Sequence, residues 1–400
     1  MYISHVSLTD FRSYAQADVE LGPGTNVLVG SNGVGKTNII EAIGYLATLS
    51  SHRVTNDGPL LRFNTERALV RARVHRAKQV TTLEVEITAG KANRARINRA
   101  NPVRARDILG IVRTVLFAPE DLALIKGDPS NRRRFLDELL VTLRPGQAAT
   151  RGDYERVLKQ RNALLKSARA GGKLSTAHES TLDVWDTHLA RAGARVVRGR
   201  LDVLKMLSPY MAGAYASLAD ANKVAKAHYQ STIVADFDED DTTADPPLTD
   251  GDSAPVAPAV LLDASLEELE EMFLAALLEK RAKELERGIT LVGPHRDDVL
   301  LTLGSAPAKG YASHGETWSL ALALRLAAYK VLGEDDPRPG AGPILILDDV
   351  FAELDATRRT RLASIVAGAD QVIVTAAVAG DVPQELGGTF LRVSPGVVHS

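Results

Sequence analysis

The 400-residue chain contains no cysteine, and that absence removes several chemistries at once. Disulfides, thiolate-bound zinc, iron–sulfur clusters and thiol nucleophiles are excluded, and a reducing, cytoplasmic setting is expected. The start, "MYISHVSLTDF", lacks a basic region followed by an apolar run, so no signal peptide is expected. No uninterrupted apolar stretch is long enough to span a bilayer, which argues against a membrane role. Net charge is nearly absent too, with 48 Lys and Arg against 50 Asp and Glu. No internal repeat is evident.

The charges that are present are unevenly placed. From Arg62 to Arg106 twelve Lys or Arg face three acids, whereas Asp236 to Asp252 holds eight acids and no base. The basic stretch reads either as the solvated face of a sheet or as a surface that contacts phosphates. Around 235–258, Asp, Pro, Thr and Ala dominate, and the segment reads as a flexible acidic loop.

A chain of this length calls for two or more lobes. "YISHVSL" and "TNVLVG" read as strands, "VGKTNIIEAIGYLATLS" as a helix, and "ALVRARVHR" and "TTLEVEITAG" as antiparallel ribbons. From about Pro129 the period becomes helical, with Ser130 and Asn131 as possible N-caps and helices over 153–169 and 181–217. "SLEELEEMFLAALLEKRAKELERG" is a long helix with a capping box at Ser265 and Glu268 and Gly288 past its end. Apolar strands return in "GPILILDD" and "QVIVTA". The expected fold is α/β: one lobe split between 1–128 and 289–400, with a mainly helical lobe inserted at 129–288.

"GSNGVGKT", comprising Gly30, Ser31, Asn32, Gly33, Val34, Gly35, Lys36 and Thr37, matches the phosphate-loop pattern G-x-x-x-x-G-K-[ST]. A strand precedes it and an amphipathic helix follows. Backbone N–H groups of such a loop wrap phosphates, Lys36 reaches the β- and γ-phosphates of ATP, and the Thr37 hydroxyl ligates Mg²⁺. The metal also needs an acid at a neighbouring strand end. "ILILDD" supplies Asp348 as that ligand, followed by Asp349 where an acid would orient the attacking water. An N-capping role for the two aspartates is the alternative. The 312 positions separating Lys36 from Asp348 demand a large insertion.

"SHGETWSLALALRLA", residues 313–327, begins a helix with Ser313, His314, Gly315 and Glu316. Ser313 and Glu316 have capping-box spacing, but a capping box does not require Gly315, and free N–H groups at a helix start also bind phosphate.

These motifs together carry a resemblance. The split halves, "SHGE" on a helix and "DDVFAELD" resemble ABC-type ATPases of the SMC and Rad50 group. More narrowly, "DFRSY", "VGSNGVGKTNIIEAI", "SSHR", "FAPEDLALIKGDPSNRRRFLD", "GPHRDD" and "LDDVFAELD" are similar to the RecF recombination-mediator family. The resemblance implies an ABC-type phosphate-loop ATPase working as an ATP-dependent homodimer. It further implies binding to double-stranded and gapped DNA, slow DNA-stimulated hydrolysis, and recombinase loading with RecR and RecO. It places Arg12 over the nucleotide phosphates, pairing with Asp10 being the alternative. It places Ser313, Gly315, Glu316 and the D-loop Asp355 in a site across the dimer, facing the partner's Lys36. Glu120 and Asp121 stand where many relatives carry glutamine, and either reach the metal or its water or cap the next segment. Thr375 replaces a common histidine near the γ-phosphate, and His314 replaces a common glutamine. His295 and Arg296 either contact DNA or brace the lobe junction. Given this context, Arg94, Arg96, Arg99, Arg104 and Arg106 become the candidate DNA contacts. A transporter ATPase subunit and a nuclease-complex ATPase subunit are the competing readings. The first explains neither basic ribbon nor helical insert; for the second, no His and Asp cluster for cutting is apparent.

Overall fold

The computed structural model describes residues 1–170, 176–219, 223–234 and 259–399; the acidic stretch 236–252 lies outside the described residues. The chain opens with β1 (Tyr2–Phe11), β2 (Tyr14–Glu20), β3 (Gly24–Val29), α1 (Lys36–Thr48), β4 (Arg67–Arg76), β5 (Gln79–Thr88), β6 (Arg94–Ile97), β7 (Val103–Arg104) and β8 (Thr114–Phe117). There follow α2 (Leu122–Lys126), α3 (Pro129–Leu143), α4 (Gln147–Ala170), α5 (Thr176–Leu218), β9 (Ala225–Gln230), α6 (Ala259–Asp263) and α7 (Leu266–Arg287). The last third holds β10 (Asp298–Leu303), β11 (Ala306–Pro307), the kinked turn α8 (Ala308–Tyr311), α9 (His314–Asp335), β12 (Ile344–Asp348), α10 (Ala356–Val366), β13 (Gln371–Ala376), β14 (Thr389–Ser394) and β15 (Val397–His399).

A six-stranded sheet in the order β15-β14-β3-β13-β12-β8 forms the middle layer, with β14, β3, β13, β12 and β8 mutually parallel. Its central strands are apolar without interruption because both faces are covered. Ile344, Ile346 and Ile373 pack towards the antiparallel sheet β2-β1-β4-β5-β6-β7 and α1. Leu345, Leu347, Val372 and Val374 pack towards α3, α5 and α9 on the other side. Strand period alone therefore sorts this middle layer between two cores.

Several local readings change. β1 is not a plain alternation: its register slips between Ile3 and His5, which lets both Ile3 and Val6 face the core. Asp128 stands at the N-cap position of α3, with Pro129 in its first turn and no side-chain capping bond, so neither Ser130 nor Asn131 is its N-cap. α4 and α5 each begin more than one helical turn before the expected starts of 153 and 181. The helical segment also contains β9, which pairs antiparallel with β10 across residues distant in sequence. Two buried arginines tie this segment together. Arg161 bonds Asp186 and Glu284, each at 2.6 Å, and Arg200 bonds Asp137 at 2.7 Å and the Pro294 carbonyl at 2.6 Å. No described helix is long and apolar enough to cross a membrane.

Candidate nucleotide-binding site

Parallel strands gather functional groups at their carboxyl ends, and β3, β13, β12 and β8 do so here. The loop Gly30–Thr37 follows β3 and leads into α1. Gly30 is fixed by crowding: a Cβ there would lie 2.4 Å from the Val393 carbonyl oxygen of β14. Gly33 and Gly35 have φ of +84° and +114°, conformations that favour glycine. Ser31, Asn32 and Gly33 are exposed, Val34 is half-buried, and Lys36 is buried. Lys36 Nζ donates to the carbonyls of Gly30 at 2.7 Å and Ser31 at 3.2 Å, so the ammonium already sits inside the curl of the loop.

Asp348 ends β12, beside Thr375 of β13, which in turn pairs with β3. The Thr375 hydroxyl donates to Asp348 Oδ1 at 2.6 Å and accepts the Asp349 N–H at 3.0 Å. Thr37 Oγ1 reaches the same Asp348 oxygen at 3.3 Å. Burial pushes the Asp348 carboxyl up to about 6, and the neighbouring negative charges of Asp349 and Glu120 add to the rise against the two threonine hydroxyls. Asp349 has φ +50°, a left-handed turn that sends the chain away from the strand immediately after Asp348. Thr375 is thus a buried brace for the acidic strand end.

The two acids after β8 divide their work. Asp121 accepts the Ala118 N–H at 3.1 Å and holds Arg325 of α9 at 2.6 Å. Glu120 is exposed and close enough to Asp348 to raise its carboxyl. In sequence either acid could cap the next segment or reach the metal; it is Asp121 that takes the Ala118 N–H, and Glu120 stays exposed. Arg12, in the tight turn between β1 and β2, donates to both oxygens of buried Glu41, at 2.8 and 2.6 Å. The alternative pairing with Asp10 does not occur, since Asp10 is held by Arg62 at 2.7 Å.

Around Ser313 the capping box is formed in full. Glu316 N–H donates to Ser313 Oγ at 3.3 Å, and Ser313 N–H donates to Glu316 Oε2 at 2.9 Å. Ser313 and His314 are exposed, and Lys223 pairs with Glu316 at 2.7 Å. Gly315 is explained by Arg358 of α10, which sequence reasoning missed: a Cβ on Gly315 would lie 2.8 Å from a guanidinium nitrogen. That guanidinium donates to Ser319 at 3.1 Å and to Asp355 at 2.5 Å. Asp355 also caps α10, accepting the Arg358 N–H at 2.9 Å. Among the described residues no hydrogen bond or ion pair joins Ser313, Gly315, Glu316 or Asp355 to the loop Gly30–Thr37.

The candidate DNA-contacting arginines lie along one margin of the antiparallel sheet. Arg94, Arg96, Arg99, Arg104 and Arg106 are all exposed. Arg94 stands opposite Arg104 across β6 and β7. Arg96 differs, lying 3.6 Å from Glu84, which is also paired with Arg71. His295 braces the interior: its Nδ1 accepts the Tyr154 hydroxyl at 2.6 Å, and its Nε2 lies 3.2 Å from the Thr290 carbonyl. Burial lowers the imidazole to about 3, so it is neutral, and the tautomer protonated at Nε2 satisfies both contacts.

The comparisons with known proteins converge with this geometry. The model of the RecF/RecN/SMC N-terminal domain family matches residues 2–387. The DNA replication and repair protein RecF of Pseudarthrobacter chlorophenolicus is 64% identical over 396 residues, covering 99% of this chain and 98% of its own length. That of Paenarthrobacter aurescens is 64% identical over 400 residues, again covering 99% and 98%. Among solved structures, the recombination mediator protein RecF with ATP, of the RecFOR pathway, has a TM-score of 0.83 and 26% identity, covering 99% of this chain and 96% of that one. On these matches the chain belongs to the RecF family of DNA replication and repair proteins, within the ABC-type ATPases.

Proposed function

We propose that the protein is an ATP-gated DNA-binding ATPase of recombinational repair, which closes as a homodimer on double-stranded or gapped DNA and assists recombinase loading in the cytoplasm. RecR and RecO would be its partners, by analogy with the RecFOR pathway named for its structural relative. The observation that carries the reading is the Thr37–Asp348–Thr375 cluster at the strand ends beneath a phosphate loop. A hydroxyl and a carboxylate oxygen 3.3 Å apart, backed by the surplus negative charge of Asp349 and Glu120, are hard donors that suit Mg²⁺. Thr37 and Asp348 would hold the ion, which would supply positive charge against the charge that develops on the phosphates.

The remaining work belongs to the chain. Gly30, Ser31, Asn32, Gly33, Val34 and Gly35 shape the cradle of N–H groups, and Lys36 exchanges its two loop carbonyls for phosphate oxygens. Thr375 holds Asp348 as a metal ligand and fixes the turn that presents Asp349 to the attacking water. Ser313, Gly315 and the dipole of α9 would receive the γ-phosphate bound to the partner's loop, with Glu316 and Asp355 shaping that surface. This assignment rests on the capping box being complete within one chain while its exposed edge has no link to the chain's own loop. Arg12, in the turn between β1 and β2 and clamped to Glu41, would lie over the phosphates. Arg94, Arg99, Arg104 and Arg106 would supply DNA phosphate contacts, and Arg96 a weaker one because Glu84 shares its charge.

Hydrolysis measured with gapped duplex, blunt duplex and no DNA tests the reading. Faster hydrolysis with gapped duplex supports it; a rate indifferent to DNA would refute it.

A further inference from the structure

Tyr14, the last residue of "DFRSY", is fully buried, and its hydroxyl has no hydrogen-bond partner among the described residues. The ring lies directly behind the phosphate loop. A Cβ on Gly35 would lie 2.6 Å from the Tyr14 oxygen and 2.9 Å from the ring carbon that bears it. Gly35 is thus constrained twice, by its φ of +114° and by the phenol that fills the side-chain space. A phenylalanine would fill the same apolar wall without an unpaired polar atom, and burying such an atom is unfavourable. Burial also raises the phenol to about 12, so it is protonated and available as a donor.

The present loop holds Lys36 through its own Gly30 and Ser31 carbonyls. A loop that cradles phosphates turns N–H groups inward, and its carbonyls must then turn outward. The hydroxyl lies on the side of Gly35 that a side chain would occupy, 2.6 Å from that Cβ position. We propose that Tyr14 is a positioning residue for the phosphate loop, whose hydroxyl donates to an outward-turned loop carbonyl when nucleotide is bound. The inference rests on nucleotide binding as proposed above.

The turn that carries Tyr14 is itself tied to α1. Ser13 Oγ accepts from Asn38 Nδ2 at 2.8 Å, and Arg12 is clamped to Glu41. The hydroxyl is therefore held in place and the loop is the partner that moves.

The test compares the parent chain with Tyr14→Phe in two measurements: equilibrium binding of a non-hydrolysable ATP analogue with Mg²⁺, and thermal melting without nucleotide. Removing an unpaired hydroxyl is expected to leave the nucleotide-free Tm equal or higher. Loss of a hydrogen bond made only in the bound state is expected to weaken binding by roughly fivefold. Equal or tighter binding by Tyr14→Phe would overturn the proposal, as would a fall in Tm alongside affinity, which marks a packing role. Failure of the parent chain to bind the analogue would instead refute the proposed function.

Discussion

The guanidinium of Arg358 occupies the space that a side chain at residue 315 would need, 2.8 Å from the position of a Cβ on Gly315. Through Ser319 and Asp355 the same group joins the start of α9 to the start of α10. The two segments proposed to face the partner's nucleotide are therefore linked by one side chain rather than independent.

Gly315→Ala is expected to displace Arg358 and loosen that link. Because the clash is with the far end of a flexible side chain, the stability cost should stay below about 1 kcal/mol. Hydrolysis should fall at least about tenfold, with nucleotide binding by the single chain unchanged. Added to Arg358→Ala, the substitution should cost little more. Steady-state rates across the double-mutant cycle check this, and fully additive effects would count against the shared link.

Thr375→Val keeps the shape of the side chain and removes the hydroxyl between Asp348 and Asp349. Hydrogen bonds to charged groups contribute about 1.5–3 kcal/mol, so hydrolysis should drop by roughly ten- to a hundredfold. Nucleotide affinity should change by less than about threefold, because Lys36 and the loop are untouched. Comparable losses in affinity and rate would place Thr375 on the nucleotide itself.

Acid is expected to weaken the helical segment through His295. Its imidazole is lowered to about 3 in the folded chain by burial, against about 6.5 for an unfolded one. Between those values the unfolded chain binds more protons, so stability is full above about pH 6.5 and is lost as pH falls towards 3. The slope should approach about 1.4 kcal/mol per pH unit in that window. Urea unfolding at stepped pH measures it, and His295→Asn should flatten the dependence. An unchanged slope in that variant would show that other groups dominate.

DNA binding should fall steeply with salt if the exposed arginines contact phosphates. Replacing Arg94 and Arg104 with alanine should reduce the log–log salt slope by about 2, uniformly across sequences. Arg96→Ala should change it less, since Glu84 lies 3.6 Å from that guanidinium. Binding that is flat between low and moderate salt would remove the electrostatic basis for this surface.

What was legible in the sequence followed from local constraint. The phosphate loop requires glycines and a lysine at fixed spacing, and the Ser313–Glu316 box spans one helical turn, so both could be read directly. The unbroken apolar runs of β12 and β13 likewise read directly as strands. What escaped notice depends on segments far apart in the chain. Gly315 is answered by Arg358 on another helix, and Asp348 is braced by Thr375 on the neighbouring strand. β9 has only a weak alternation, burying Ala225 and Tyr229, and exists because β10 pairs with it. Asp121 and Glu120 have equal claims in sequence and separate only when Arg325 arrives from α9. The start of α3 was misplaced because Pro129 favours a first-turn position, which moves the cap back to Asp128.

The central claim is that ATP brings two chains together so that Ser313 of one completes the site of the other. Sedimentation of the Asp349→Asn variant, in which hydrolysis is blocked, measures this most directly with saturating Mg²⁺ and ATP. The expected result is a dimer that reverts to monomer without nucleotide and does not form when Ser313→Arg is added, although ATP still binds. A monomer under saturating ATP, or loss of ATP binding by Ser313→Arg itself, would contradict it.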